Sequence, residues 1–167
     1  MSLILEGFMG SGKSAVGKEL AKRLGLSFID TDALIEAKQN CRIADIFEES
    51  GEEAFRQMET AVLQGLLLTD DEAVISLGGG TPVRDANQSI IKALGRVIYL
   101  RADASTLIRR LESGTEERPM LKGGDLAHRV KKLLGEREKR YMELADIVID
   151  IQEESIEEIC GRIEEAV

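Results

Sequence analysis

The feature that most constrains this chain is a glycine-rich run near its start. Leu3-Ile4-Leu5 is an apolar stretch of strand length, and Glu6 leads from it into Gly7-Phe8-Met9-Gly10-Ser11-Gly12-Lys13-Ser14. Beyond the run, Val16, Leu20, Ala21 and Leu24 recur at helical spacing, and Gly25 is placed to stop that helix. A strand, a tight loop and a helix in succession are the setting in which Gly-x-x-x-x-Gly-Lys-Ser cradles phosphate. The glycines let backbone N–H groups turn inward, and the helix points its positive end at the same anion. Lys13 can reach the terminal phosphates, and the Ser14 hydroxyl can ligate Mg²⁺. Gly10, Ser11, Gly12, Lys13, Ser14 and Ala15 are therefore the candidate nucleotide-binding set. A chance glycine-rich turn is the plain alternative, and the flanking strand and helix weigh against it.

The rest of the chain repeats the same alternation. Strand-length apolar runs occur at Ser27–Asp30, Ala73–Leu77, Arg96–Leu100 and Asp146–Ile149. Helical patterns lie between them, over 33–68 with breaks near Gln39-Asn40 and Ser50-Gly51, then 87–94, 104–111 and 125–144, and a last one over 156–167. Strands joined through helices imply right-handed crossovers and a parallel sheet covered on both faces, an α/β fold of three layers. The 167 residues suit one domain. In such sheets ligands bind beyond the carboxyl ends of the strands.

Asp30-Thr31-Asp32 ends the second strand. One carboxylate can face a Mg²⁺ held by Ser14, and the other can accept the proton of a substrate hydroxyl. Alternatively, Thr31 or Asp32 is simply the N-cap of the next helix. Gly78-Gly79-Gly80 follows the third strand, and three glycines suit a backbone that approaches a ligand closely. Ser76 stands where many phosphate-loop proteins carry a metal-binding Asp, which leaves the metal to Ser14, Asp30 and water. Arg56, Arg118 and Arg137 could each grip a carboxylate or phosphoryl group, although a lone arginine is more often a surface ion pair.

Composition narrows the partners. The net charge of −9 lacks the basic footprint of a nucleic-acid binder, and no segment suits a membrane span or a signal peptide. Cys41 and Cys160 are too far apart for a metal-ligand spacing, and Cys160 falls on the apolar side of the last helix as a core residue. His128, the sole histidine, has no partner motif. A cytoplasmic protein is the expectation.

These residues together resemble the shikimate kinase family, a branch of the nucleoside-monophosphate-kinase-like phosphate-loop proteins. The resemblance spans nearly the whole chain. It rests on the loop Gly7 to Ser14, Asp30-Thr31-Asp32, Ile43-Ala44-Asp45-Ile46-Phe47 leading to Phe55-Arg56-x-x-Glu59, Gly78-Gly79-Gly80, Arg118-Pro119-Met120-Leu121 and Arg137-x-x-x-Tyr141. It implies a five-stranded parallel sheet in the order 2-3-1-4-5, a substrate-binding helical region at about 31–60 and a lid at about 112–124. The implied reaction transfers the γ-phosphoryl of ATP to the 3-hydroxyl of shikimate in aromatic amino-acid synthesis, with Mg²⁺ as cofactor and a monomeric enzyme. Carried over, Asp30 and Ser14 serve the metal, Asp32 binds the acceptor hydroxyls as base, and Lys13 and Arg118 act on the phosphates. Arg56 and Arg137 hold the acceptor carboxylate, Gly78, Gly79 and Gly80 line it, and Phe47 and Phe55 form its apolar wall. Arg110 meets the adenine, with Arg109 as the neighbouring alternative. The competing readings are a gluconate-type or nucleotide kinase of the same branch, and a nucleotide-binding regulatory module without turnover.

Overall fold

The computed structural model describes residues 1–114, 121 and 125–167. Five strands, β1 (Ser2–Glu6), β2 (Ser27–Asp30), β3 (Ala73–Ser76), β4 (Gly95–Arg101) and β5 (Ile147–Asp150), form one sheet. All four pairings are parallel, and the order is β2-β3-β1-β4-β5, as the family resemblance implies. The helices are α1 (Lys13–Leu24), α2 (Thr31–Gln39), α3 (Ile43–Leu67), α4 (Asp85–Leu94), α5 (Ala104–Ser113), α6 (Leu126–Leu144) and α7 (Ile156–Ala166).

The sheet is covered on both faces because its inner strands are apolar on both. Leu3, Leu5, Val74, Ile98 and Leu100 share one core with Val16, Leu20 and Ala21 of α1 and Ile159, Cys160 and Ile163 of α7. On the opposite face, Ile4, Ile75, Leu77 and Val97 pack with Leu63 of α3, Ile91 of α4 and Leu144 of α6. Each of the Val, Leu and Ile side chains among these contributes roughly 1.5–3 kcal/mol by leaving water. The edge strands β2 and β5 are the most exposed, with Ile149 their one buried residue, whereas in the inner strands only Arg96 and Arg101 of β4 are partly exposed. A separate small core of Ile35, Ile46, Phe55 and Val62 ties α2 to α3.

Both helix breaks expected from the sequence are present. Asn40 caps α2 in the left-handed region (φ 55), and Gly51 interrupts α3 with φ 84 and ψ 171. The 3-10 turn Thr81–Val83, which the sequence pattern does not show, carries the chain from the glycine run to α4. The carboxyl ends of β1, β2 and β3 therefore lie side by side, with the glycine loop, the Asp30 corner and the triple glycine all opening to one side.

Candidate active site

The loop after β1 is built to leave donors open. Gly10 (φ 84) and Gly12 (φ 92) adopt conformations that only glycine takes without strain. Side chains cap the N-termini of α2, α5, α6 and α7, namely Asp30, Asp103, Asp125 and Ser155. Helix α1, like α3 and α4, has no side-chain cap among the described residues, and it alone has a left-handed glycine, Gly12, at that position. The first-turn N–H groups and the helix dipole are thus presented to an anion. Lys13 is buried, and its ammonium donates to Gly7 O (2.8 Å) and Phe8 O (3.1 Å).

Asp30 does two jobs at once. Its Oδ1 accepts from the backbone N–H of Asp32 and of Ala33, capping α2, while Oδ2 accepts from the Ser14 hydroxyl at 2.7 Å. The cap is Asp30, not Thr31 or Asp32 as the alternative reading had it, because α2 begins two residues earlier than its apolar pattern suggests. The cap and site readings of this corner are therefore compatible. Two oxygen donors meet at the loop mouth, a set suited to a hard cation that keeps most of its ligands as water and phosphate. No cluster of three or more acidic, His or Cys side chains able to hold a metal occurs among the described residues.

Asp32 points inward with Oδ1 buried and without a hydrogen-bond partner among the described residues. Its carboxyl is pushed up to about 6, chiefly by burial, then by the negative charges of Glu59 and Asp30, with Lys13 and Arg56 opposing. Arg56 donates to Glu59 at 2.6 Å, and Glu59, buried on α3, also accepts from the Thr81 hydroxyl. The Arg56–Glu59 spacing of three residues puts both on one helix face. Arg137 is buried, lies 5.7 Å from the Phe8 ring centroid, and has Nη1 unpaired among the described residues. Phe47 and Phe55 pack at 5.0 Å, and the Arg56 guanidinium lies 5.3 Å from the Phe55 centroid.

The triple glycine makes room for the charged groups. A Cβ on Gly78 would stand 2.6 Å from Asp32 Oδ1, one on Gly79 3.1 Å from Arg137 Nη1, and one on Gly80 2.5–2.7 Å from the Arg56 guanidinium. Each glycine therefore yields its side-chain space to a different ionic residue.

One cavity of about 1010 Å³ joins these parts. Gly10, Gly12, Lys13, Ser14, Ala15, Asp30, Asp32, Phe47, Phe55, Arg56, Gly78, Gly79, Gly80, Arg110 and Arg137 all line it. Ser11 is buried beneath the loop, with its hydroxyl unpaired among the described residues. Of the two neighbouring arginines it is Arg110 that borders the cavity, donating to Gly10 O (3.3 Å) and Gln152 O (3.1 Å), whereas Arg109 turns out to Glu153. Arg118 and most of the expected lid, 115–120 and 122–124, lie outside the described residues. Sequence reasoning assigned no role to Glu59 beyond its place in a motif, nor to Glu6. The three-residue spacing from Arg56 was the available signal for Glu59, and a lone acid in an apolar strand was the signal for Glu6.

Comparison with known proteins agrees with this geometry. The sequence model of the shikimate kinase family matches residues 9–167. A shikimate kinase of Halorhodospira halophila is 41% identical over 164 residues, covering 98% of this chain and 92% of its own. The shikimate kinase of Acinetobacter baumannii, solved in complex with shikimate, superposes with a TM-score of 0.93 at 32% identity, over 99% of this chain and 91% of that one. A gluconokinase from Sinorhizobium meliloti superposes with a TM-score of 0.63 at 18% identity, over 99% of this chain and 94% of that one, a likeness of fold alone. With a family model matching residues 9–167 and relatives of this identity covered over nearly their whole length, the chain belongs to the shikimate kinase family.

Proposed function

We propose that this chain transfers the γ-phosphoryl group of ATP to the 3-hydroxyl of shikimate, giving shikimate 3-phosphate for aromatic amino-acid synthesis. One observation carries the reading. In a single cavity with the phosphate loop, a buried carboxylate oxygen of Asp32 and a buried guanidinium nitrogen of Arg137 both lack hydrogen-bond partners among the described residues. Unsatisfied buried polar atoms of opposite character are costly unless a ligand completes them. A small acid bearing hydroxyls satisfies both, and shikimate is the acceptor present in the solved relative.

In this reading Arg137 and Arg56 hold the acceptor carboxylate, Arg56 being kept in place by Glu59, while Phe47 and Phe55 cover the ring. Gly78, Gly79 and Gly80 let the acceptor lie against backbone. Asp32 accepts the 3-hydroxyl proton as that oxygen bonds to the γ-phosphorus and the bond from phosphorus to the β-γ bridging oxygen breaks. The raised Asp32 carboxyl is still ionised at neutral pH, and its basicity is closer to working pH than that of an ordinary aspartate. Lys13, the N–H groups of Gly10 to Ala15 and Arg118 stabilise charge on the phosphates, and Arg110 borders the adenine.

Ser14 and Asp30 would hold Mg²⁺, which when bound screens the phosphate charge. The residues around 31–60 form the acceptor region and those around 112–124 the lid. The proposal includes a monomer acting in the cytoplasm on ATP and shikimate, without nucleic acid or membrane. The net charge of −9 supports the first exclusion, and no helix among the described residues is long and apolar enough to cross a membrane. The test is ADP release from MgATP with shikimate, gluconate and nucleoside monophosphates in parallel. A rate with shikimate no higher than with ATP alone overturns the proposal.

A further inference from the structure

Glu6 is an acid in an unusual place. It ends β1, the central strand, paired in register with Tyr99 of β4, and it is fully buried. Along β1 it shares the face of Ile4, whose core includes Val97 and Leu144. Neither carboxyl oxygen has a hydrogen-bond partner among the described residues, and Glu6 does not line the cavity. A buried carboxylate without donors is strongly disfavoured, so the group keeps its proton. Its carboxyl is accordingly pushed up to about 9, chiefly by burial, with Lys13 opposing and Asp146 reinforcing.

The chain gives this neutral acid a specific neighbour. Gly7 and Phe8 follow Glu6 directly, and their carbonyls are the ones that hold the Lys13 ammonium. Lys13 is also the positive charge that acts most on Glu6. The other titratable groups that sense Glu6 are Tyr99 and Tyr141, and Asp146 acts on it in turn. Both phenols are raised, Tyr141 to about 12 and Tyr99 further still, chiefly by burial, so they remain neutral where Glu6 titrates. Asp146 is tied to Val97 N–H at 2.8 Å.

We infer that Glu6 is a positioning residue for Lys13, holding a proton so that the lysine ammonium can move from the strand end to the terminal phosphates of the nucleotide. An ionised Glu6 would compete with those phosphates for the same ammonium across a medium that screens poorly. Nucleotide binding and proton retention on Glu6 are therefore linked. The lysine leaves, the phosphates bring negative charge, and both effects favour the protonated acid. The inference rests on the proposed function only in taking a nucleoside triphosphate as the ligand of the loop.

The test is the dissociation constant of MgATP, measured calorimetrically from pH 7.5 to 10 without acceptor, for the natural chain and for Glu6→Gln. The two should bind alike at pH 7.5. By pH 10 the natural chain should lose about tenfold in affinity through a group titrating near 9, while Glu6→Gln, which shares every other titrating group, should lose several-fold less. An equal alkaline loss in both proteins, or a variant already weakened at pH 7.5, overturns the inference. If Glu6→Gln does not fold, carboxyl ¹³C titration of Glu6 in the natural chain decides the matter. Its midpoint should rise on adding a non-hydrolysable ATP analogue, and an unchanged midpoint overturns the inference. Absence of MgATP binding at any pH would instead count against the proposed function.

Discussion

Arg56 occupies the space that a side chain on Gly80 would need. A Cβ there would fall 2.5–2.7 Å from three atoms of the guanidinium, which at the same time donates to Glu59 at 2.6 Å. Gly80→Ala must therefore push Arg56 off Glu59, and a lost hydrogen bond between charged groups costs about 1.5–3 kcal/mol. If Arg56 grips the acceptor carboxylate, KM for shikimate should rise by roughly ten- to a hundredfold while KM for ATP changes little. Steady-state kinetics with each substrate varied in turn checks this. An equal rise in both constants would mean that the substitution disturbs the whole site rather than Arg56.

Asp32 links activity to pH in one direction and stability in the other. Its carboxyl is raised to about 6 from an ordinary 3.8, burial being the main cause. A base works only when ionised, so kcat/KM is expected to fall about tenfold per pH unit once the pH drops below that range. For stability the sign reverses. The folded chain binds this proton more tightly than the unfolded chain does, so ionisation penalises the native state. The penalty is absent below about pH 3.8, grows through the window up to about 6, and is complete above it. Asp32→Asn should lose turnover by a factor of about 10²–10⁴ and yet be more stable at pH 7.5, by of order 2 kcal/mol. Urea unfolding at pH 7.5 and pH 4 checks it, because the gain should vanish at the lower pH.

What the sequence conveyed best was whatever local chemistry dictates. The loop from Gly7 to Ser14 needs only its glycines and flanking periodicity to be recognised. The breaks at Asn40 and Gly51 are likewise residues that tolerate positive φ, and both occur where the helical pattern falters. The dual role of Asp30 was not legible, because capping α2 and bonding Ser14 requires knowing that β2 ends beside α1. Nor could spacing alone choose Arg110 over Arg109. Adjacent helix positions differ by about 100° in direction, and only packing of α5 against the loop decides which turns inward. Glu6 reads in sequence as a strand-end acid like any other, and its full burial beside Tyr99 of β4 is a tertiary fact. The division of labour among Gly78, Gly79 and Gly80 is a tertiary fact as well, since each glycine answers a residue from a different helix or corner.

Tyr141 fastens the triple-glycine loop from beneath. Its buried hydroxyl donates to Gly79 O, and its ring packs on Tyr99 at 5.1 Å. Tyr141→Phe keeps the ring contact and leaves the Gly79 carbonyl short of a donor. The expected loss is about 1–2 kcal/mol of stability. Gly79 also lies against Arg137, so a loosened loop should raise KM for shikimate several-fold. Urea unfolding and acceptor kinetics on the same variant check both halves. A stability loss without any change in that KM would separate the loop's anchoring from acceptor binding.

Glycines in open space separate backbone conformation from packing. Gly65 in α3, Gly135 in α6 and Gly161 in α7 would each carry a Cβ with nothing within 4 Å among the described residues, and none has a positive φ. Alanine there removes the entropy cost of a helical glycine, about 0.5–1 kcal/mol at each site. The three sites lie on different helices, so the gains should add, to about 2 kcal/mol or a rise of roughly 4–8 °C in Tm. Gly51 offers the same open space, but its φ of 84 with ψ of 171 lies in a region open essentially to glycine alone. Gly51→Ala should therefore cost about 1–3 kcal/mol where the other three gain. Because none of the four positions has a neighbour within 4 Å among the described residues, opposite signs in calorimetric melts point to the backbone. If Gly51→Ala were neutral, α3 would be able to straighten through its break, and the Phe47–Phe55 contact across it would not depend on the kink.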